Sequence, residues 1–302
     1  MAQKTARLRF LFTGEGTQYI DLWRCLSAAQ RKMFRQFQVC HVMGGLIKDS
    51  NNETTLRINT APETWVTRTA LRRAKRLWDK HIEEGLEGVE GNVKPKYHDF
   101  KVYLNNVMGN GVMAVDAGGN NIPFQEWVYS SYHSEDVDWA DPNLLTNSNR
   151  QADTFQVMIT GDHVGSPTNW TRISALKSWF DSRAEPDIDE PNMPTGFSTD
   201  PLVNLFDEAD ASDEVLASLD TDNDRPPYDE DSHWGMSAGF PVGPHNNLQR
   251  QAFAATQAGA GSISPVNGFS AICGLLEVHI TQGSGSGDVE LILDVALKGD
   301  KI

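Results

Sequence analysis

The sequence predicts a mainly β protein, an antiparallel sandwich or barrel with helices inserted into it. Three observations carry that expectation. Segments with period-two alternation lie at both ends of the chain. They recur at intervals of about 8–15 residues, the spacing of short strands joined by turns. Helical segments interrupt them singly instead of alternating with them, which disfavours a parallel α/β sheet.

From the N-terminus, Ala6–Phe12 alternates as a strand and Gly14-Glu15-Gly16 is a loop. Tyr19–Gln36 starts extended and turns into a short helix, with Ser27 as its expected cap. Val39–Lys48 reads as a strand bent or bulged at Gly44-Gly45, and Thr54–Asn59 as a short strand. Further strands are expected at Phe100–Val107, Val112–Val115, Phe124–Tyr132 and Thr154–Thr160, the last with Phe155, Val157 and Ile159 on one face. Gly118-Gly119-Asn120-Asn121 is a turn, and Asn169–Asp181 an amphipathic helix with Ile173, Leu176 and Phe180 inward. Gly235–Gly261 reads as an irregular run. Phe269–Thr281 and Val289–Leu297 close the chain as two strands, with Leu276, Val278 and Ile280 lining one and Leu291, Leu293 and Val295 the other. Gln282–Gly287 joins them as a loose hairpin.

Thr60–Gly85 is the long helix of the sequence, the element around which the rest is arranged. Ala61-Pro62 marks its entry, because a proline in the first turn forfeits no helical hydrogen bond. Glu63 falls in that turn, where a negative charge suits the helix dipole, and Gly85 is the stop. Leu71, Ala74, Trp78 and Ile82 step by three and four into an apolar stripe. Arg68, Arg72, Arg76 and Lys80 step by four into a basic stripe. Such a stripe is either a solvated surface or a contact face for phosphate or for the chain's own acidic segment.

That acidic segment holds the whole formal charge of −15. Asp181–Asp231 contains 17 acidic and 2 basic residues, and the remainder is balanced at 24 of each. Acid concentrated in one place argues for a specialised insertion rather than a salt-adapted surface. Its prolines at 186, 191, 194, 201, 226 and 227 make it mainly loop. The expected division is therefore 1–180 as a β core with inserted helices, 181–265 as an acidic, Pro/Gly-rich excursion, and 266–302 as the closing strands. No basic tail of the nucleic-acid-binding kind is seen. No apolar run approaches the ~20 residues of a membrane-spanning helix, and the apolar run in MAQKTARLRFLF is too short for a signal peptide. Cys25, Cys40 and Cys273 are too few and too scattered for a disulfide framework or zinc site, and read as buried thiols.

Catalytic motifs are not legible. There is no G-x-x-x-x-G-K-[ST] loop, no H-E-x-x-H, and Gly14-Glu15-Gly16 lacks the third glycine of a dinucleotide fingerprint. Gly283–Gly287 is G-S-G-S-G, with glycine where a nucleophile elbow needs serine. Asp220, Asp222 and Asp224 alternate as in a calcium loop, and Asp231 falls at the twelfth position. Arg225 stands where that loop needs glycine and Pro226-Pro227 follows, so an acidic solvated loop is the first reading and a Ca2+ site the second.

Three pieces of sequence together resemble a known family. They are Tyr19-Ile20-Asp21-Leu22 with Leu26-Ser27-Ala28-Ala29-Gln30-Arg31-Lys32-Met33-Phe34-Arg35-Gln36; Thr60-Ala61-Pro62-Glu63-Thr64-Trp65-Val66 with Asp99-Phe100-Lys101-Val102-Tyr103; and Cys273-Gly274-Leu275-Leu276 with Glu290-Leu291-Ile292-Leu293-Asp294-Val295. On these residues the chain resembles capsid proteins encoded by small environmental circular single-stranded DNA viruses. The resemblance covers the first third and the closing strands. It implies a jelly roll that self-assembles into an icosahedral shell of a virion. It also implies that the subunit is not an enzyme, has no small-molecule substrate and needs no cofactor. Without a basic arm, genome contact would fall to the Arg68–Lys80 face, or the shell would enclose a membrane. The alternative is a calcium-assisted carbohydrate- or ligand-binding β-sandwich using the Asp220–Asp231 loop and Trp127, Trp139, Trp170 or Trp234.

Overall fold

A computed structural model describes residues 4–49, 53–86, 97–134, 153–166, 169–181, 248–257, 262–283 and 287–302. In chain order these form β1 (Thr5–Thr13), β2 (Gly16–Asp21), α1 (Leu22–Gln30), β3 (Gln38–Asp49), β4 (Thr54–Thr60), α2 (Trp65–Gly85), β5 (Ser131–Ser134), β6 (Asp153–Met158), β7 (Val164–Ser166), β8 (Asn169–Ser174), α3 (Ala175–Asp181), β9 (Gln249–Ala255), β10 (Ile263–Val266), β11 (Phe269–Ala271), β12 (Leu275–Gln282), β13 (Asp288–Ala296) and β14 (Asp300–Lys301).

Two sheets make the core. One runs β1-β13-β3-β10 and the other β2-β12-β4-β9, with every adjacent pair antiparallel. The chain passes from one sheet to the other at almost every connection, which is the double Greek key of a jelly roll. Period-two patterning builds it. In β1, Ala6, Leu8, Phe10 and Phe12 are buried while Arg7 and Arg9 face out to bond Asp294 (2.8 Å) and Glu290 (2.6 Å) on β13. The inner faces of β12 (Leu276, Val278, Ile280) and β13 (Leu291, Leu293, Val295) meet them in one cluster.

The closing strands are not a hairpin. β12 lies between β2 and β4 in one sheet, while β13 lies between β1 and β3 in the other. Alternation reports that each strand has one buried face, and both belong to the same core from opposite sides. β3 bulges at Met43, where Asp294 pairs Gly44 but Val295 pairs Val42. Its far edge is covered by β10, β11 and β14 in succession.

β4 and β9 are neighbours in one sheet although far apart in sequence. Of the described residues between them, Val112–Val115 return to the sandwich, where Val112 bridges Ile20 and Met113 and Ala114 join its core. The other described residues between β4 and β9 form α2, α3 and a third sheet ordered β5-β6-β8-β7, in which β6 and β8 are parallel. A second apolar cluster joins them to the jelly roll. Trp78, Phe100, Tyr103, Tyr129, Met158 and Leu176 pack there with Val39 and Leu275.

Several local expectations are corrected. Asp21, not Ser27, caps α1: the Arg24 N–H donates to its Oδ1 (3.1 Å), whereas Ser27 lies inside the helix and donates to Trp23 O. α2 starts at Trp65 because Thr64 Oγ1 accepts the Thr67 N–H, which leaves Pro62 and Glu63 outside the first turn. Phe100–Val107 is not a strand. Tyr103 pairs only briefly with β6, and the Asn105 side chain then accepts the Val107 and Met108 N–H groups and turns the chain. Of Phe124–Tyr132 and Val112–Val115, only Ser131–Ser134 forms a strand at the end of the first, and Val112 and Val115 make single bridges. Asn169–Ser174 is strand β8, not helix, so Ile173 pairs with Val157 while Leu176 sits on α3. Gln249–Ala255, within the Gly235–Gly261 run expected to be irregular, and Ile263–Val266 just after it are strands of the two core sheets.

Candidate functional site

α2 is amphipathic by spacing, and packing fixes which way it faces. Val66, Ala70, Leu71 and Trp78 are buried, and the Trp78 ring stacks on His98 at 4.9 Å and tilts against Phe100 at 5.7 Å. Arg73 donates to Ser178 O of α3 (3.3 Å), and Tyr132 Oη donates to Ala74 O (2.7 Å). These contacts hold the helix with its opposite face to solvent.

The structure treats the four residues of the basic stripe unequally. Arg68 is half-buried, bonds Glu63 and donates to Lys301 O at 3.5 Å. Lys80 pairs with Glu84 one turn on, at 3.3 Å. Arg72 and Arg76 are exposed and make no ion pair among the described residues. Trp65 lies on the same face by helical spacing and is 56% exposed, and Leu77, next to Arg76 in sequence, is 51% exposed. The candidate contact face is therefore Trp65, Arg72 and Arg76, with Arg68 and Lys80 already partly neutralised. An exposed aromatic among unpaired guanidinium groups suits phosphate, carboxylate or a base stacked on the ring.

Buried polar clusters tie residues between β4 and β9 to the sandwich, and sequence motifs give no sign of them. Asp21 is 1% exposed. Beyond capping α1 it accepts from Gln36 Nε2 (2.9 Å), Trp127 Nε1 (3.0 Å) and Tyr129 Oη (3.4 Å). Burial raises its carboxyl above the usual carboxylate range, and the donors from Arg24, Gln36 and Trp127 restrain the rise. A second cluster centres on Glu277, which accepts from Tyr19 Oη (3.0 Å) and Asn59 Nδ2 (3.0 Å), with Asn105 Nδ2 donating to that same hydroxyl (3.1 Å). Burial pushes the Tyr19 phenol upward. Arg172 of β8 lies over the Tyr103 ring at 4.0 Å and donates to Asn106 O (2.7 Å) and Met108 O (3.0 Å), clamping the turn that follows.

Because the Asp21 carboxyl is raised in the fold, its contribution to stability is full below the unfolded carboxylate pKa and declines as pH rises through the folded value. Asp21→Asn removes that contribution and turns an amide N–H toward groups that are themselves donors. We expect it to cost about 1–3 kcal/mol at neutral pH. Urea titrations should show the gap from the unaltered protein widening from pH 7 to pH 4; a gap that narrows toward acid would contradict the assignment.

A cleft of about 420 Å³ lies beside α2, lined by Trp78, His98, Asp99, Lys101, Glu126 and Tyr129 among others. Burial lowers the Lys101 ammonium below its ordinary value, and its Nζ lies 4.8 Å from the centre of the Trp127 ring. Trp127, read from sequence as an exposed ligand contact, is half-buried and bonded to Asp21. Trp170 is half-buried edge-on to His163. Trp139, Trp234 and the four aspartates Asp220, Asp222, Asp224 and Asp231 lie outside the described residues. The three cysteines are buried thiols, and burial pushes Cys25 up to about 12. No helix among the described residues is long and apolar enough to cross a membrane.

Neither a protein-family model, nor a curated protein, nor a solved structure matches this chain.

Proposed function

We propose that this chain is a viral capsid subunit that closes with copies of itself into an icosahedral shell around a single-stranded DNA genome. The observation that supports this best is the strand order, β1-β13-β3-β10 in one sheet and β2-β12-β4-β9 in the other, interleaved as a jelly roll. That architecture serves shell proteins, lectins and cupins alike, so fold alone does not choose among them. Two further features favour the shell. The α2, α3 and third-sheet elements between β4 and β9 supply surface for neighbours without disturbing the two core sheets. They also present Trp65, Arg72 and Arg76 uncovered, an apolar and cationic combination typical of contact residues. The partner for this face is either the genome's phosphates or the 181–231 segment of an adjacent subunit, which is acidic by sequence.

Surface charge pairs contribute only ~0–1 kcal/mol each, so contact through this face needs several of them plus burial of the tryptophan. Negative-stain electron microscopy of the purified protein tests the reading. Closed particles are expected, becoming fewer as salt is raised. The double reversal Arg72→Glu/Arg76→Glu should shift the population toward free subunits without changing the melting temperature. Particles indifferent to both salt and reversal would remove α2 from the contact. A protein that stays monomeric and gains heat stability with calcium and sugar would replace the shell with the binding-module reading.

A further inference from the structure

On the outer face of the β1-β13-β3-β10 sheet, three strands bring a serine, a histidine and an aspartate into line. His41 is on β3 between the buried Cys40 and Val42, so its ring points away from the core. Ser270 is its direct cross-strand partner on β11, between the buried Phe269 and Ala271. Asp300 arrives on β14, which pairs with the next stretch of the same β3 edge. Ser270 Oγ lies 2.9 Å from His41 Nδ1, and Asp300 Oδ2 lies 2.9 Å from His41 Nε2. Gly268 brings the chain close enough for this register: a Cβ there would sit 2.9 Å from Met43 O. The three side chains line a shallow depression of about 540 Å³, together with Met43, Gly268 and Phe269.

The chemistry of the partners sets the protons. An ionised carboxylate only accepts, so in the neutral imidazole Nε2 carries the hydrogen and donates it to Asp300. Nδ1 is then a bare acceptor, and the Ser270 hydroxyl donates to it. A serine whose proton already points at a base, with that base oriented by a carboxylate, is the arrangement of an activated nucleophile. Relative to the familiar triad the ring is reversed, Nδ1 taking the serine side, but the proton route is the same.

We propose that Ser270, His41 and Asp300 form an acyl-transfer site that accepts small esters and other activated acyl compounds. Ser270 Oγ bonds to the acyl carbon as its proton passes to His41 Nδ1. The ester C–O bond breaks, and the leaving alcohol takes that proton. Water then attacks the acyl-serine, giving one proton to His41 Nδ1, from which it returns to Ser270 Oγ as the acid departs. Ser270 and His41 are the catalytic residues. Asp300, whose side chain is 74% exposed, is a positioning residue that selects the tautomer.

This inference does not depend on the capsid reading and is tested separately from it. The full chain is incubated with a fluorophosphonate probe, in which the serine Oγ–P bond forms as fluoride leaves, and the label is mapped by mass spectrometry. Labelling of Ser270 is expected, absent in Ser270→Ala and at least about 100-fold slower in His41→Gln, the scale of lost general-base assistance. Asp300→Asn can turn its amide N–H toward Nε2 and place the proton on Nδ1, the wrong tautomer. It should slow labelling about 10-fold or more, while melting temperature stays unchanged. A single-turnover burst of 4-nitrophenol from 4-nitrophenyl acetate should follow the same order. No label on Ser270 in the unaltered protein, or equal labelling in His41→Gln, would overturn the proposal and leave the cluster as a tether of β14 to β3.

Discussion

Trp23→Ala should cost about 3–5 kcal/mol, the range for emptying a large aromatic site in a packed core. Trp23 heads the largest fully buried side chains among the described residues. Its ring stacks on Phe34 with centroids 5.9 Å apart, and its Nε1 donates to Gln38 O at 3.2 Å. Two glycines make room for it. A Cβ on Gly274 would fall 2.7 Å from indole Cδ1, and one on Gly299 would fall 2.7 Å from Cζ2. Gly274 also has φ +65, a conformation that glycine adopts at little cost. The indole thus packs from α1 against Phe34 and the core, with Gly274 after β11 and Gly299 before β14 pressed close to its ring. Such a site cannot collapse to fill the hole, because the surrounding strands are held in their ladders. Trp23→Phe keeps most of the volume and loses the Nε1 bond, so it should retain well over half of the stability lost by the alanine variant. Equilibrium denaturation measures both; a loss under 1 kcal/mol for alanine would mean the site relaxes freely.

Gly45→Ala is expected to cost about 3 kcal/mol or more, at or above the upper end for inserting one methyl into a filled site. Gly45 is on β3 opposite Leu293, and its added Cβ would lie 2.2 Å from Ile292 O and 2.9 Å from Leu293 Cδ2. The obstacle is backbone. β13 is paired to β1 on one side and to β3 on the other, so it cannot retreat without opening a ladder. The variant should accumulate as insoluble chain, or melt far below the unaltered protein. Gly85→Ala is the control, since a Cβ at the end of α2 meets nothing within 4 Å. It should change stability by no more than a few tenths of a kcal/mol. A soluble Gly45→Ala protein with an unchanged melting temperature would mean that β3 and β13 are not paired in this register.

The Asp21 cluster and the Ser270–His41–Asp300 line share a reason for being invisible to motif reading. Asp21 looks in sequence like one residue of Tyr19-Ile20-Asp21-Leu22, yet its partners are at 24, 36, 127 and 129. His41 meets residues 229 and 259 positions away. No spacing rule spans such distances, because the contact is made by sheet register. The basic stripe of α2 was legible, since Arg68, Arg72, Arg76 and Lys80 share a helix face through local geometry. The Lys80–Glu84 and Arg68–Glu63 pairs are local as well, and only the contact of Arg68 with Lys301 O was decided by the fold.

Although the strand expected over Phe269–Thr281 is broken at Ile272–Gly274 into β11 and β12 of different sheets, the spacing of apolar residues was enough to establish β1, β3, β4 and β13 as strands and α2 as amphipathic. These follow from period and hydrophobicity, which act within a few residues. Tertiary structure alone decided which sheet each strand joins, that β12 and β13 part company despite being consecutive, and that β9 and β10 are strands at all. The physical reason is that a strand's hydrogen bonds are satisfied only by another strand. Here the partner of Thr5 is Ala296, and local sequence carries no record of so distant a neighbour.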